Sequence, residues 1–388
     1  MLAGEVPTFP CHRAIPGESS QRQALLGPPK RNPPVFTPPR CPYVTCPRHL
    51  HSDPGDLRPH GHYRAKCRPH PIPRFRCAVC LRTFSRQTFR MDYRDHRPDL
   101  NARLFQSLAS GLGLRQSSRN LRLSFRCTEL KFRKIARHLR RLNLNLRKSL
   151  RGDATFQLDE YETYEGRRNT RPLSVPVLIE TKTRFIVWAE SATIRPRGKM
   201  TSARRRAMAA DEKRLGERRD RSRRSVLRTL RRGANLVRGP GQVLLETDKK
   251  SSYVRLASES FGADRLVHMR TSGKLARTSA NPLFPINHTE AMARDLMGRL
   301  RRRSWLVSKK RRYLDLGLQI FMAYRNLVRL RFNFDLASPA QMLGFAPRRL
   351  EETEVLGWRQ DWEGRSIHPL AVRCETVHER LGMGSRAA

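Results

Sequence analysis

The sequence predicts an α/β fold, a mixed sheet with flanking helices, preceded by a small cysteine-rich unit and a short helical module. Three observations carry this expectation. Three apolar runs follow one another between residues 156 and 191 with short connections, the pattern of an antiparallel meander. A strand–helix–strand pattern runs from Gln242 to Ser272. Upstream of both, four cysteines stand in two close pairs.

The first run, FQLDEYETYEG from Phe156 to Gly166, reads as a strand closed by a glycine. LSVPVLIE follows, ending at Glu180, and RFIVWAES ends at Ser191. Pro176 places the second strand at a sheet edge or a bulge, because proline cannot donate to a ladder. QVLLETD is a fourth strand ending on Asp248, SSYVRLASESF a helix with Ser251 or Ser252 as its N-cap, and LVHMRTS a fifth strand. A helix is expected from Asn287 to Trp305, with Glu290 in its first turns, and an amphipathic helix from Leu314 to Leu330. Ser338–Pro339 opens a further short helix. Between the third and fourth strands, residues 195 to 240 set seventeen Lys and Arg against four acids. Met208, Leu215, Leu227 and Leu230 give this block a helical spacing, so it reads as a long Arg-rich helix over 197–238. Such a helix tracks phosphates or is a solvated face with i,i+4 pairs.

The acids carry the chemistry. Asp159 sits inside an apolar strand, where a carboxylate needs a partner. Asp159, Asp248 and Glu290, met in that order, can hold two divalent cations about 3.5–4 Å apart for in-line phosphoryl transfer. Hard oxygen ligands suit Mg2+ or Mn2+. Asp295 is the alternative third acid; it lies roughly 140° around the helix from Glu290, so the two cannot share one site. Glu160 and Glu162 are solvent-facing strand residues, or Glu160 assists from outside the ligand shell.

Cys41-x4-Cys46 and Cys77-x2-Cys80 can supply four thiolates to one structural Zn2+, and RFRC with CLRTFS flank the second pair as a hairpin. This marks 41–98 as a zinc ribbon. Cys67, His49, His62 and His70 lie between the pairs and are alternative ligands; Cys11, Cys67, Cys127 and Cys374 otherwise read as small hydrophobes. Residues 99–150 read as helix, short helix, turn and basic helix. Thr128 caps the last helix, and Lys131, Arg133, Lys134, Arg137, Arg140 and Arg141 stud it. That outline is expected of a helix-turn-helix, whose final helix enters the major groove of DNA, or of a basic three-helix bundle that binds only phosphate or nothing.

The net charge is +45, carried by 66 Arg and 13 Lys against 34 acids, which favours a polyanionic partner. Nine of the 26 prolines fall in residues 1–40, which read as a disordered leader. No apolar run approaches the length of a membrane span, and no signal-peptide core is seen. There is no GxxxxGK[ST] motif, which argues against an NTP-driven motor.

DEYETYEGRRN resembles the first-strand block of bacterial zinc-ribbon insertion-sequence transposases of the DDE class. ETDKKSSY resembles their second-aspartate block, and NHTEAMARDLMGRLRRRSWLVSKKRRYLDLGLQIFMAYRNLVR their terminal helical block. The CP-x3-CP start and RFRC-x2-C-x-x-TFS resemble their ribbon, and SPAQMLGF the motif after their catalytic domain. The likeness covers roughly residues 41 to 345. It implies a ribonuclease-H-like catalytic domain over 151–345, a tail over 346–388, and Asp159, Asp248 and Glu290 as the catalytic acids holding two Mg2+ or Mn2+. It further implies double-stranded DNA, element ends and target, as partner, a homo-oligomer on that DNA, and a cytoplasmic, nucleoid-associated bacterial protein. One rival expectation is a non-enzymatic zinc-ribbon and helix-turn-helix DNA-binding protein, a regulator or a decayed transposase; a second is a structure-specific nuclease on the same fold, which would keep the acids but not transfer strands.

Overall fold

The computed structural model describes residues 36–358, apart from 51, 69, 147–149, 199 and 301–305. Several expectations lie outside the described residues: the leader up to 35, Cys11, Cys374, residues 301–305 of the helix expected to reach Trp305, and the tail from 359.

The cysteine-rich segment folds as an antiparallel sheet of β1 (Leu57–Tyr63), β2 (Ile72–Cys77) and β3 (Thr83–Ser85), in that order. Its core is small, with Phe75 stacked on Phe84 at 5.9 Å and Phe89 set edge-on to Phe84. Three helices follow: α1 (Leu100–Ala109), α2 (Leu114–Asn120) and α3 (Phe125–Asn145). The cap of α3 is Ser124, not Thr128. The Ser124 Oγ accepts the Cys127 N–H at 3.2 Å, while the buried Thr128 hydroxyl donates back to the Ser124 carbonyl. Phe132, Ile135, Leu139 and Leu142 recur at helical spacing, and this stripe is buried in one core with Phe156, Leu158 and Leu245 of the central sheet.

After β4 (Leu150–Arg151) come the meander strands β5 (Ala154–Tyr164), β6 (Pro172–Glu180) and β7 (Ile186–Ala189), each antiparallel to the last, and β8 (Ala192–Thr193), which continues along β6. The basic block is two helices, α4 (Ser202–Leu215) and α5 (Ser222–Ala234), not the single long helix expected. Gly216, at φ 82°, ends α4, and Asp220 accepts the Ser222 N–H at 2.9 Å to start α5. The expected apolar spacing holds at Leu230, which is buried, but not at Leu215, which is half exposed; Val226 is the other buried apolar residue of α5. Gly233 sets how close α5 comes to the sheet, since a Cβ there would sit 2.6 Å from Leu178 Cδ2.

β9 (Val237–Arg238) pairs with β4, and β10 (Val243–Asp248) then enters parallel to β5 on the side away from β6. A crossover through α6 (Ser251–Phe261) leads to β11 (Leu266–Thr271), parallel to β10. No serine caps α6; Lys250 holds the cap position, and its N–H donates to Asp248 Oδ1 at 3.0 Å. The sheet order is β11-β10-β5-β6-β7. With the first long strand central, an antiparallel meander on one side and two parallel strands on the other, this is the ribonuclease-H-like mixed sheet. Pro176 lies in an interior strand rather than at an edge. It is tolerated because β7 pairs only residues 177–179 of β6 and β8 only 173–174, leaving no ladder partner there on that side.

The remaining helices are α7 (Phe284–Leu296), α8 (Arg311–Ala323), which runs into a π turn at Tyr324–Val328, α9 (Pro339–Met342) and α10 (Glu352–Gly357). α7 begins three residues before Asn287 because Pro285 fits its first turn, so Glu290 falls at the end of its second turn. Ser338 caps α9, its Oγ accepting from Gln341 N–H at 3.4 Å. Strand alternation divides the core between the two faces of the sheet. Phe156, Leu158 and Leu178 meet α5, α6 and α3, whereas Tyr161, Val175, Val177 and Ile179 meet α7 and α8.

Candidate catalytic centre and metal sites

Thr247 of β10 stands opposite Leu158 of β5 in a parallel ladder. The next residue on each strand is an aspartate, so Asp248 and Asp159 come side by side where β10 ends. Alternation turns Asp159 to the face covered by α7, together with Gln157 and Tyr161. From α7, Glu290 meets the same face and is only 3% exposed. Its Oε2 lies 3.4 Å from the Arg294 Nη2, while its Oε1 is buried with no hydrogen-bond partner. Asp295 is exposed on α7, so the helix is turned with Glu290 inward. The three carboxylates do not all lie within 4.8 Å of one another.

Electrostatics at this face favour a cation. Burial pushes the Asp159 carboxyl up to about 6; the Glu160 N–H, 2.6 Å away, works against this, and the charge of Asp248 adds to it. Burial, joined by the charge of Asp159, pushes Glu290 up to about 8, with Arg294 and Arg277 opposing. Carboxyls that are desolvated and repel one another are stabilised in the ionised form by a divalent ion. The unpartnered Oε1 of Glu290 fits such an ion, as does the all-oxygen donor set.

Glu160 faces the other side of the sheet. Its Oε1 accepts from Lys250 Nζ and from the Tyr253 hydroxyl at 2.8 Å, and its Oε2 accepts from Ser174 Oγ. These bonds occupy both oxygens, so Glu160 braces β5 against β6 and α6. Glu162 is exposed and stands 3.9 Å from Arg197. Gln157 escaped the sequence reading. It is wholly buried; its Oε1 accepts the Ile286 N–H at 2.9 Å, and its Nε2 donates to the Pro282 carbonyl and the Glu246 carboxylate, both at 2.8 Å. It ties the first turn of α7 to β5 two residues before Asp159. The signal available was a lone amide in an apolar strand. Lys250 and Tyr253 were present in the second-aspartate block without an assigned role.

The four cysteines converge. The Sγ atoms of Cys41, Cys46, Cys77 and Cys80 all lie within 4.8 Å of one another, with Cys41–Cys80 at 3.7 Å and Cys46–Cys77 at 3.8 Å. A tetrahedron with Zn–S arms of about 2.3 Å has edges of about 3.8 Å, so these separations fit zinc. The alternative ligands lie elsewhere. His49 Nδ1 pairs with the Cys41 carbonyl at 2.9 Å, Cys67 is exposed with its thiol directed to the Asp95 carbonyl, and His62 and His70 are exposed.

Of the six basic residues expected to face DNA, Lys131 does not. It is 4% exposed, and its Nζ donates to both Asp95 oxygens at 2.6 and 2.7 Å, to the Arg97 carbonyl and to Asn101 Oδ1. The apolar stripe of α3 draws Lys131 inward, and the buried ion pair takes up its donors. Arg133 is engaged by Glu129 and the Tyr313 hydroxyl, and Lys134 Nζ by the Tyr93 carbonyl at 2.8 Å. Arg137, Arg140 and Arg141 are exposed.

Fold and site together define a ribonuclease-H-like α/β body with a buried carboxylate face and a separate four-thiol cluster. No protein-family model matches the chain, and no curated protein does. Among solved structures the chain is similar to the catalytic domain of Mos1 mariner transposase, with 11% identity and a TM-score of 0.21 over 49% of this chain and 88% of that one. It is also similar to the Mos1 strand transfer complex, with 11% identity and a TM-score of 0.19 over 57% of this chain and 74% of that one. The fold assignment rests on the strand order and not on these scores. Among the described residues no helix is long and apolar enough to cross a membrane.

Proposed function

We propose that this chain is a transposase of the two-metal DDE class, acting on the terminal repeats of an insertion sequence. One observation carries the reading: two aspartates stand at adjoining positions of neighbouring parallel strands, and one of them, Asp159, bears on a buried glutamate that has an unpartnered oxygen. Asp159, Asp248 and Glu290 would hold two Mg2+ or Mn2+ ions. Bound there, such ions activate water or a DNA 3′-hydroxyl and stabilise the leaving oxygen.

The chain's own residues build the setting. Gln157 positions α7, and with it Glu290. Glu160, held by Lys250, Tyr253 and Ser174, fixes the strand segment that carries Asp159. Arg277 and Arg294 lie close enough to weigh on the carboxyl charges, and they would meet phosphate oxygens at the same face. Cys41, Cys46, Cys77 and Cys80 would hold one structural zinc, which supplies folding energy to a ribbon with little core of its own. The exposed Arg137, Arg140 and Arg141 of α3, with the arginines of α4, would carry double-stranded DNA, on which the protein would act as a homo-oligomer. A non-enzymatic DNA-binding protein would use the ribbon and the basic surface equally well, but it has no use for a glutamate desolvated beside an aspartate.

The test is strand joining. Pre-cut terminal DNA, a plasmid target and Mg2+ or Mn2+ should yield joined products with the full chain. Asp159→Asn and Asp248→Asn should keep DNA binding while joining falls by several orders of magnitude. Undiminished joining by Asp159→Asn protein would sink the catalytic reading. If Glu290→Gln stays active and Asp295→Asn does not, the third acid is Asp295.

A further inference from the structure

Residues 331–337, which the catalytic reading leaves unused, form a closed turn. Asp335 accepts from the Phe332 N–H at 2.9 Å and from the Arg331 guanidinium at 2.7 and 3.1 Å. The Asp335 N–H returns to the Phe332 carbonyl at 3.1 Å, and the Arg331 N–H donates to the Ala337 carbonyl at 3.2 Å. The turn is tied to the body as well. Arg331 donates to the Lys182 carbonyl at 2.9 Å, and the buried Arg325 holds the Leu330 carbonyl at 3.1 Å.

This brace presents two stacked phenyl rings. Phe332 and Phe334 have centroids 5.5 Å apart and planes 15° apart, and Phe334 is 82% exposed. Phe332 is backed by His288 at 5.4 Å and by the Arg184 guanidinium at 5.8 Å; Arg184 also lies 5.7 Å over Phe284. Phe284 and His288 belong to α7, so the cluster shares a helix with Glu290. His288 lies about 200° around that helix from Glu290, on a different side.

The surroundings are mainly cationic, with Glu180 the carboxylate that bears on Arg184. Among the described residues no carboxylate comes within ion-pair distance of Arg184, Arg325 or Arg329, and Asp335 pairs only with Arg331. Arg184 Nη1 and Arg325 Nε are buried without hydrogen-bond partners. Arg184, Arg325 and Arg329 all bear on His288, which places their charges together. A braced, bare aromatic ring in a positive field matches a ligand with flat faces strung on a phosphate chain. Bases stack on such rings whatever their sequence, and the cations attract the backbone. A second copy docked on this face would bring two such cation groups together, which repel.

We propose that the Phe332–Phe334 turn is a stacking platform for single-stranded nucleic acid, with an unpaired base on Phe334 and its phosphates drawn by Arg184 and Arg329. The platform requires no divalent ion, so it stands or falls apart from the carboxylate site. The experiment measures anisotropy of the full-length chain in buffer without added Mg2+ or Mn2+, with fluorescein-labelled oligo(dT) of about 12 nucleotides, against a blunt duplex of the same length. Phe334→Ala should weaken oligo(dT) binding about 10-fold and leave duplex binding within about twofold, while Phe334→Tyr keeps both. As a second measurement, Phe334→Trp should add indole fluorescence that oligo(dT) quenches beyond the quenching of the parent chain. Equal loss on both DNAs, or no loss with no added quenching, overturns the platform. A change in sedimenting species with Phe334→Ala, with oligo(dT) binding intact, overturns it in favour of a contact between copies.

Discussion

Replacing Gln157 with leucine tests whether strand β5 sets the position of Glu290. Leucine is shorter by one atom but fills a comparable volume, so the site stays packed while three hydrogen bonds are lost. Ile286 is the third residue of α7, and N–H groups in a helix's first turn have no acceptor within the helix. Gln157 Oε1 supplies that acceptor at 2.9 Å, and Gln157 Nε2 satisfies the Pro282 carbonyl that leads into the helix. Leucine leaves the buried Ile286 N–H unpaired and takes a donor from the Pro282 carbonyl and the Glu246 carboxylate, which are open to water in part. At about 1–3 kcal/mol for an unsatisfied buried group, the loss should be about 1–3 kcal/mol. Denaturant unfolding should show this as a lower midpoint at unchanged slope. Amide exchange gives the local reading: Ile286, protected in the parent, should exchange at least about 10-fold faster in Gln157→Leu. Strand joining should fall while DNA binding holds, because α7 loses its tie to the strand carrying Asp159. Parent-like stability together with an unchanged Ile286 exchange rate would refute the reasoning, whatever happens to activity.

The other predictions are independent of α7. His138 is fully buried, with Nε2 3.0 Å from the Val355 carbonyl, and burial pushes it down to about 4. A depressed histidine contributes stability that is present above its unfolded value of about 6.5 and lost as pH falls through 4. His138→Gln should therefore flatten the parent's fall by about 3 kcal/mol between pH 6.5 and 4 in denaturant titrations, and identical slopes would count against it. Metal analysis should find one zinc per chain, and Cys77→Ser with Cys80→Ser should abolish it; full retention by that variant would remove the site. Arg137→Ala with Arg140→Ala should weaken terminal DNA more than random DNA in gel shifts. Equal loss on both would mean that α3 contacts phosphate only.

Elements with a strong local signal were legible in the chain. Alternating β-formers marked β5, β6 and β10 to within a few residues, and close cysteine pairs marked the thiol cluster. Boundaries failed where a neighbour supplied the decisive group. α7 starts early because Pro285 fits its first turn and Gln157, on β5, accepts the Ile286 N–H. α4 and α5 separate because Gly216 adopts a positive φ and Asp220 restarts the helix, in a block where arginine masks the apolar period. Pro176 misled because an interior strand with a gap in its partner ladder cannot be recognised from one strand's residues.

By itself, the sequence determined the type of each acid and thiol, their order along the chain, and the charge excess that calls for a polyanion. Those properties are local: a carboxylate in an apolar run or a cysteine two residues from another is visible wherever the chain goes. The tertiary structure decided which of them meet. The parallel register of β5 and β10 sets Asp248 beside Asp159, and the turn of α7 buries Glu290 while exposing Asp295. The apolar stripe of α3 carries Lys131 into a buried pair with Asp95 and leaves Arg137 and Arg140 outside. The physical reason is that burial and pairing are properties of the partner as much as of the residue. Whether a charge becomes a ligand, a strut or a solvated surface group is settled only when distant segments pack against it.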